Sequence, residues 1–232
     1  MADTLIVEKK YAGPPGIGNG GYVAGLLARE VRGPAQITLL RPTPLDTPLR
    51  LEHEADGVVN AVRDGQTLAS AKPAALDLQP PHNPGAEAAR AAASMSPALT
   101  RNVHPICFVC GTERDDNEGL NIYAGPVDDA GTVAACWTPA DNLANSSGCV
   151  DPVYIWSALD CPGAFAFMAT HQPGFLGRIT GEVTGQLRAN EPAVVVGWKI
   201  GAEGRKLHAG TAVFNAAGQV VGLAKAVWFG PA

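Results

Sequence analysis

The chain has no excess of positive charge. Its 17 lysines and arginines are outnumbered by 22 aspartates and glutamates, for a formal net charge of −5. A general nucleic-acid binder would instead present a basic face. It also lacks a long uninterrupted apolar run. The most apolar stretch, Val150 to Ala169, is broken by Asp151 and Asp160. Two carboxylates in a bilayer are costly, so a buried helix is expected there and a membrane partner is not. Met1 to Lys10 has no apolar segment followed by a small-residue cleavage site, so no secretion signal is expected. Five cysteines, an odd number, give no sign of a disulfide scaffold; reduced thiols in a cytoplasm fit better. Gly16-Ile17-Gly18-Asn19-Gly20-Gly21 has neither the preceding parallel strand nor the Lys-Ser/Thr ending of a phosphate-binding loop, and no cofactor is expected.

What is present is globular. Charged residues make up 17% and the apolar set 46% of 232 residues, enough to bury a core as one large domain or two small ones. Residues 78–103 read as a linker, with Gln79-Pro80-Pro81-His82-Asn83-Pro84-Gly85 followed by an alanine-rich run that can form a short surface helix. They separate an N-terminal half, 1–77, from a C-terminal half, 104–232. In the first half, a short strand at Thr4 to Glu8 is followed by a glycine-rich turn. Helical spacing of apolar residues then runs over Tyr22 to Val31, before strands at Gln36 to Leu40, Leu49 to His53, Val58 to Val62 and Thr67 to Ala71. The second half repeats the plan. Strands at Asn121 to Tyr123 and Thr132 to Trp137 precede a long helix over Asp151 to Met168. Strands follow at Arg178 to Leu187, Ala193 to Ile200, Leu207 to Asn215 and Val220 to Phe229. Gly65-Gln66 precedes Ala71-Lys72 at the spacing of Gly218-Gln219 before Ala224-Lys225, and Leu40-Arg41 and Leu187-Arg188 each close a strand. The repeated order points to an internal duplication. The fold class expected is α+β: two helices, each wrapped by an antiparallel sheet, with the halves paired side by side to remove exposed edges.

Two features lie at equivalent places, one in each half. Gly18-Asn19-Gly20-Gly21 leads into the first helix, where amides and the positive helix end can face a developing oxyanion. A plain tight turn is the simpler reading of those residues alone. In the second half, Asp160 lies in an apolar helix among Trp156, Ser157 and Ala164, with Pro162 opening the local ladder. A carboxylate there is costly unless it is paired, hydrogen-bonded or functional. Capping a turn or pairing with an arginine stands level with a functional role.

Taken together these residues resemble the hotdog-fold acyl-CoA thioesterases, in which a glycine pair at a helix start is followed by an acid seven residues past the second glycine. The first half is similar through Asn19-Gly20-Gly21-Tyr22-Val23-Ala24 and Leu39-Leu40-Arg41-Pro42. The second is similar through Cys107-Phe108-Val109-Cys110-Gly111, Gly119-Leu120 and Ala158-Leu159-Asp160. The first half has Ala28 where the acid would stand, and the second has Asp151-Pro152-Val153 where the glycine pair would stand. In two-fold dimers of that family, the helix start of one subunit and the acid of its partner form one site. The resemblance therefore implies a fused double hotdog with one complete site, Gly20 and Gly21 with Asp160, and one dead site. The partner it implies is acyl-CoA or a related acyl thioester. Asp160 would activate a water or attack as a nucleophile. Asn19 stands where histidine is common and can donate to the thioester carbonyl or orient the loop. Relatives also use a hydroxyl on the strand after the acidic helix, a place Thr180 or Thr184 can fill; ordinary strand filler is the plainer reading for at least one. The resemblance leaves room for homo-oligomers of such chains.

Cys107-x-x-Cys110 beside His104 invites a zinc reading, but Cys136, Cys149 and Cys161 are scattered in sequence and supply no second pair. A buried turn without metal is therefore expected. A hydratase of the same fold would carry histidine five residues past its aspartate, and Phe165 and Trp156 stand there instead. A catalytically silent acyl-binding protein remains the alternative, because a fold does not fix a function.

Overall fold

Where apolar and polar residues alternate, the chain forms strands with one face turned inward. Leu49 and Leu51 are buried while Arg50 between them is exposed, and Ala35 and Ile37 are buried on either side of a partly exposed Gln36. The structure, a computed structural model, describes residues 4–114 and 118–230. In chain order its elements are β1 (Thr4–Leu5), α1 (Gly20–Ala28), β2 (Ala35–Leu39), β3 (Leu49–His53), β4 (Val59–Arg63), β5 (Gln66–Pro73), α2 (Gly85–Ala92) and α3 (Pro97–Arg101). There follow β6 (Gly125–Pro126), β7 (Val133–Trp137), α4 (Pro152–Ala158), α5 (Cys161–Phe165), β8 (Phe175–Val183), β9 (Ala193–Glu203), β10 (Lys206–Phe214) and β11 (Val220–Phe229). Among the described residues no helix is long and apolar enough to cross a membrane.

All eleven strands belong to one antiparallel sheet, in the order β1-β3-β4-β5-β2-β8-β11-β10-β9-β7-β6. The seam between the halves is β2 against β8, where Ile37 pairs with Ile179 and both are fully buried. Reading outward from that seam, β2-β5-β4-β3 on one side answers β8-β11-β10-β9 on the other. The sheet wraps α1 and α4, which cross antiparallel over the seam, and most buried apolar side chains form one core around them. This is the α+β arrangement of two wrapped helices. The linker is ordered as well. Helix α2 lays Ala89 against the opposite sheet face, in a small cluster with Ala134, Val194 and Phe214.

The duplication is written into the loops. Bridges Ala12–Gly18 and Ala144–Val150 lie 132 residues apart (12 to 144, 18 to 150). At the same offset, the Asn19 amide donates to the Tyr11 carbonyl and the Asp151 amide to the Leu143 carbonyl, each at 2.9–3.0 Å. Likewise Gly13 bonds to Ile17, and Asn145 to Cys149. The turns before β5 and β11 match too, with Gly65 and Gly218 both at positive φ (73° and 76°).

Three expectations are corrected. The helix expected over Asp151 to Met168 is two short helices, broken at Leu159-Asp160; Pro162 has no amide to give to the Ala158 carbonyl. Asn121 to Tyr123 is not a strand, because the Leu120 and Ile122 amides donate to the Phe108 and Val109 carbonyls instead of a neighbouring strand. β8 begins at Phe175 and ends at Val183, not at Leu187.

Helices α1 and α4 approach closely enough to demand glycine on one of them. A Cβ on Gly25 would lie 2.9 Å from Val153 Cα and Trp156 Cβ, well inside contact distance. Gly25→Val should therefore force the helices apart and cost about 1–3 kcal/mol, read as a lower urea midpoint at similar slope. Gly201→Ala, where an added Cβ meets nothing within 4 Å, should leave the midpoint nearly unchanged. An unaltered midpoint for Gly25→Val would contradict this crossing.

Candidate active site

Helix α1 starts at Gly20 because Asn19 caps it, its side-chain oxygen accepting from the Tyr22 amide at 2.9 Å. The amide end of the same side chain is then free to turn across the seam between halves. It donates to Asp160 Oδ2 at 2.8 Å, and the Gly21 amide donates to the same oxygen at 2.9 Å. So Asn19, Gly21 and Asp160 meet, one pair from the first half and the acid from the second. A Cβ on Gly21 would sit 2.7 Å from Asp160 Cβ, so the contact requires glycine there.

Asp160 is set at the break between α4 and α5, with φ −82° and ψ −85°, and is only 3% exposed. Its Oδ1 is buried and has no hydrogen-bond partner among the described residues. Burial pushes its carboxyl up to about 7; the Gly21 amide and the Asn19 side chain pull the other way, and the nearby Cys107 adds to the rise. The positive N-terminal end of α1 also faces it.

The acid opens onto a cavity of about 290 Å³. Its walls are largely apolar, with Ile17, Val23, Leu39, Leu176 and Trp228 among them. Gly20 also lines it. As the first residue of α1, Gly20 has an amide without an intrahelical acceptor, and no acceptor for it is found among the described residues. The Trp228 indole N–H is likewise buried without an acceptor. Leu40 and Phe175, 55% and 64% exposed, stand at the rim.

The expected roles divide. Gly20 and Gly21 do not act as a pair, since the Gly21 amide is taken by Asp160 and only that of Gly20 is left for a ligand. Thr180 and Thr184 are not in the site. Ile179 and Gly181 turn toward the helices, Gly181 lying under Trp156, so alternation sends Thr180 to the opposite face. Thr184 is exposed beyond the end of β8. Cys161 is not isolated, as its place in the sequence suggested, but packs against Cys107 and Cys110. Trp228 was not anticipated; its only sequence signal is the one indole of β11.

The quasi-equivalent place in the other half is built differently. At the 132-residue offset, Asn19, Gly20, Gly21 and Ala28 correspond to Asp151, Pro152, Val153 and Asp160. Asp151 accepts from the Val153 amide at 3.0 Å and pairs with Arg29 at 2.5 Å. Pro152 has no amide to offer.

No family model matches the sequence, and no curated protein matches it. Solved structures do. A candidate thioesterase from Novosphingobium aromaticivorans superposes with a TM-score of 0.65 at 15% identity, over 99% of this chain and 95% of that one. The TesB protein of Mycobacterium avium subspecies paratuberculosis gives 0.59 at 15% identity, over 93% and 88%. At such identities the likeness speaks for the fold, and the fold of this chain is the double hotdog of these thioesterase-like structures.

Proposed function

We propose that the chain hydrolyses acyl thioesters of the acyl-CoA type at one site between its halves, with Asp160 as the reacting acid. The observation that carries this reading is the unequal treatment of the two carboxylate oxygens. Oδ2 is fixed by two donors while Oδ1 is buried and unpartnered among the described residues, on an acid that lines a largely apolar cavity. Leaving an acceptor in that state costs free energy, and an inert acyl-binding protein would gain nothing from it. A base does gain, because Oδ1 is held ready for a proton.

In this mechanism the acyl chain lies among Val23, Leu39 and Leu176, and the thioester carbonyl accepts from the Gly20 amide at the positive end of α1. Asp160 Oδ1 takes a proton from a water as that water's oxygen bonds to the carbonyl carbon. The tetrahedral oxyanion then collapses, the carbon–sulfur bond breaks, and the leaving thiolate recovers the proton from Asp160. Asn19 and Gly21 hold the carboxylate in line and do not touch substrate. The cavity volume is at the low end for small-molecule sites, which favours short acyl groups.

Asp160→Asn should lower kcat by about 10² to 10⁴-fold, the usual worth of general acid–base help, while circular dichroism and melting stay native-like. Near-normal turnover in that variant would end the assignment. Asn19→Ala removes one hydrogen bond to a charged group, worth about 1.5–3 kcal/mol. It should therefore slow kcat by about 10- to 100-fold with KM little changed; a rise in KM alone would place Asn19 on the substrate instead. Titration with a non-hydrolysable acyl-CoA analogue should saturate at one ligand per chain, because the second place has Pro152, with no amide to offer, and Ala28 where the acid would stand. Two equivalent sites per chain would rule out the asymmetric arrangement.

A further inference from the structure

Beside the acid, and unused by hydrolysis, lie three buried thiols: Cys107, Cys110 and Cys161. Cys161 Sγ is 3.7 Å from Cys107 Sγ and 3.4 Å from Cys110 Sγ, and all three sulfurs fall within 4.8 Å of one another. Three sulfurs bound to one tetrahedral zinc at about 2.3 Å would stand about 3.8 Å apart. The two edges that meet at Cys161 are already of nearly that size. We propose that Cys107, Cys110 and Cys161 bind one thiophilic divalent cation, with Zn²⁺ the first candidate, whose fourth coordination position opens toward the acyl cavity.

The surroundings favour one thiolate, that of Cys107. The Cys110 and Cys161 thiols draw the Cys107 thiol down from its ordinary range, while their contacts with Cys107 and their burial hold Cys110 and Cys161 above theirs. The Asn19 amide group reaches the Cys107 sulfur at 3.8 Å. The turn carrying the first two cysteines is closed by the Gly111 amide donating to the Cys107 carbonyl at 2.8 Å, so their spacing is fixed without metal. A Cβ on Gly111 would approach that carbonyl oxygen to 2.5 Å, so the turn needs glycine. Cys161 arrives from the other direction, as the first residue of α5. Cys107 and Cys161 line the cavity and Cys110 does not. Three protein ligands with an open fourth position is the pattern of an accessible zinc site, not a closed structural one. Binding displaces the protons of whichever thiols are not already ionised and releases them to solvent.

The proposal is independent of the thioesterase reading, and its test does not measure turnover. Fully reduced, metal-free protein is titrated with Zn²⁺ against a chromogenic chelator, and separately with Co²⁺ while near-ultraviolet thiolate-to-cobalt charge transfer is recorded. The expected result is one ion per chain, a charge-transfer band that Zn²⁺ abolishes, and proton release in weak buffer. Cys110→Ser should weaken binding by about 100-fold or more, beyond the usual loss of an outer-shell partner. Cys136→Ser, whose thiol lies outside the cluster, should bind as the parent does. Should Cys110→Ser fail to fold, thiol labelling of the parent protein decides: Zn²⁺ should protect three of the five cysteines. Absence of the cobalt band in reduced protein, unchanged affinity in Cys110→Ser, or labelling indifferent to Zn²⁺ would overturn the proposal.

Discussion

Much of this molecule answers to one contact, the carboxylate of Asp160 against the Gly21 amide and the Asn19 side chain. A carboxylate that deep is tolerated only if its hydrogen bonds are short and directed. Its donors belong to the other half of the chain, so the halves must meet closely at that point. Two glycines on one face of α1 permit the meeting, Gly21 beneath the acid and Gly25 beneath Val153 and Trp156. The continuous sheet then follows, because helices crossing over a common seam bring β2 and β8 within pairing distance. Seating the acid and joining the halves are thus the same structural event.

Duplication explains why the acid can be single. In a symmetric pair, every feature of the site would be present twice. Here Asn19 and Asp151 both cap their helices, Asn19 accepting from the Tyr22 amide and Asp151 from that of Val153, and Tyr22 and Tyr154 face each other with ring centroids 6.2 Å apart. The halves differ at the helix starts, where Gly20 and Gly21 answer to Pro152 and Val153, and at Ala28, which answers to Asp160. Ala28 leaves no carboxylate opposite Asp151, and Arg29 neutralises Asp151 from the neighbouring position. The place equivalent to Asn19 carries a surface ion pair, of small energetic worth where both partners are this exposed. The scaffold is alike in both halves because capping and packing are needed in each.

The wrapped-helix plan was legible because hydrophobic period and turn chemistry report it directly. Leu49 to His53 and Val220 to Phe229 have the bounds their alternation predicts, and the Gly-Gln turns mark equivalent corners. The pairing of Asp160 with the glycine-rich start of α1 was legible only through resemblance, since no local pattern reports a contact spanning 139 residues of sequence. Strand phase was not legible at Thr180. Arg178-Ile179-Thr180-Gly181 does not reveal that a glycine faces inward until Trp156 is seen to occupy the space a side chain would need. The thiol cluster was hidden for the same reason: Cys161 joins Cys107 and Cys110 only once the fold closes.

The break at Leu159-Asp160 ties these threads together. In an unbroken helix the Gly163 amide would bond to the Leu159 carbonyl; here it bonds to the Asp160 carbonyl at 3.1 Å. The Leu159 carbonyl is not abandoned, because the buried Thr211 hydroxyl donates to it at 2.8 Å. A strand on the far side of the second half thus meets the need for a buried partner that the break creates. With the backbone freed from helical geometry, two consecutive side chains reach the cavity, Asp160 toward α1 and Cys161 toward the Cys107 turn. Pro162 forces the break, Thr211 makes it tolerable, and the two cavity-lining side chains stand on either side of one peptide bond because of it.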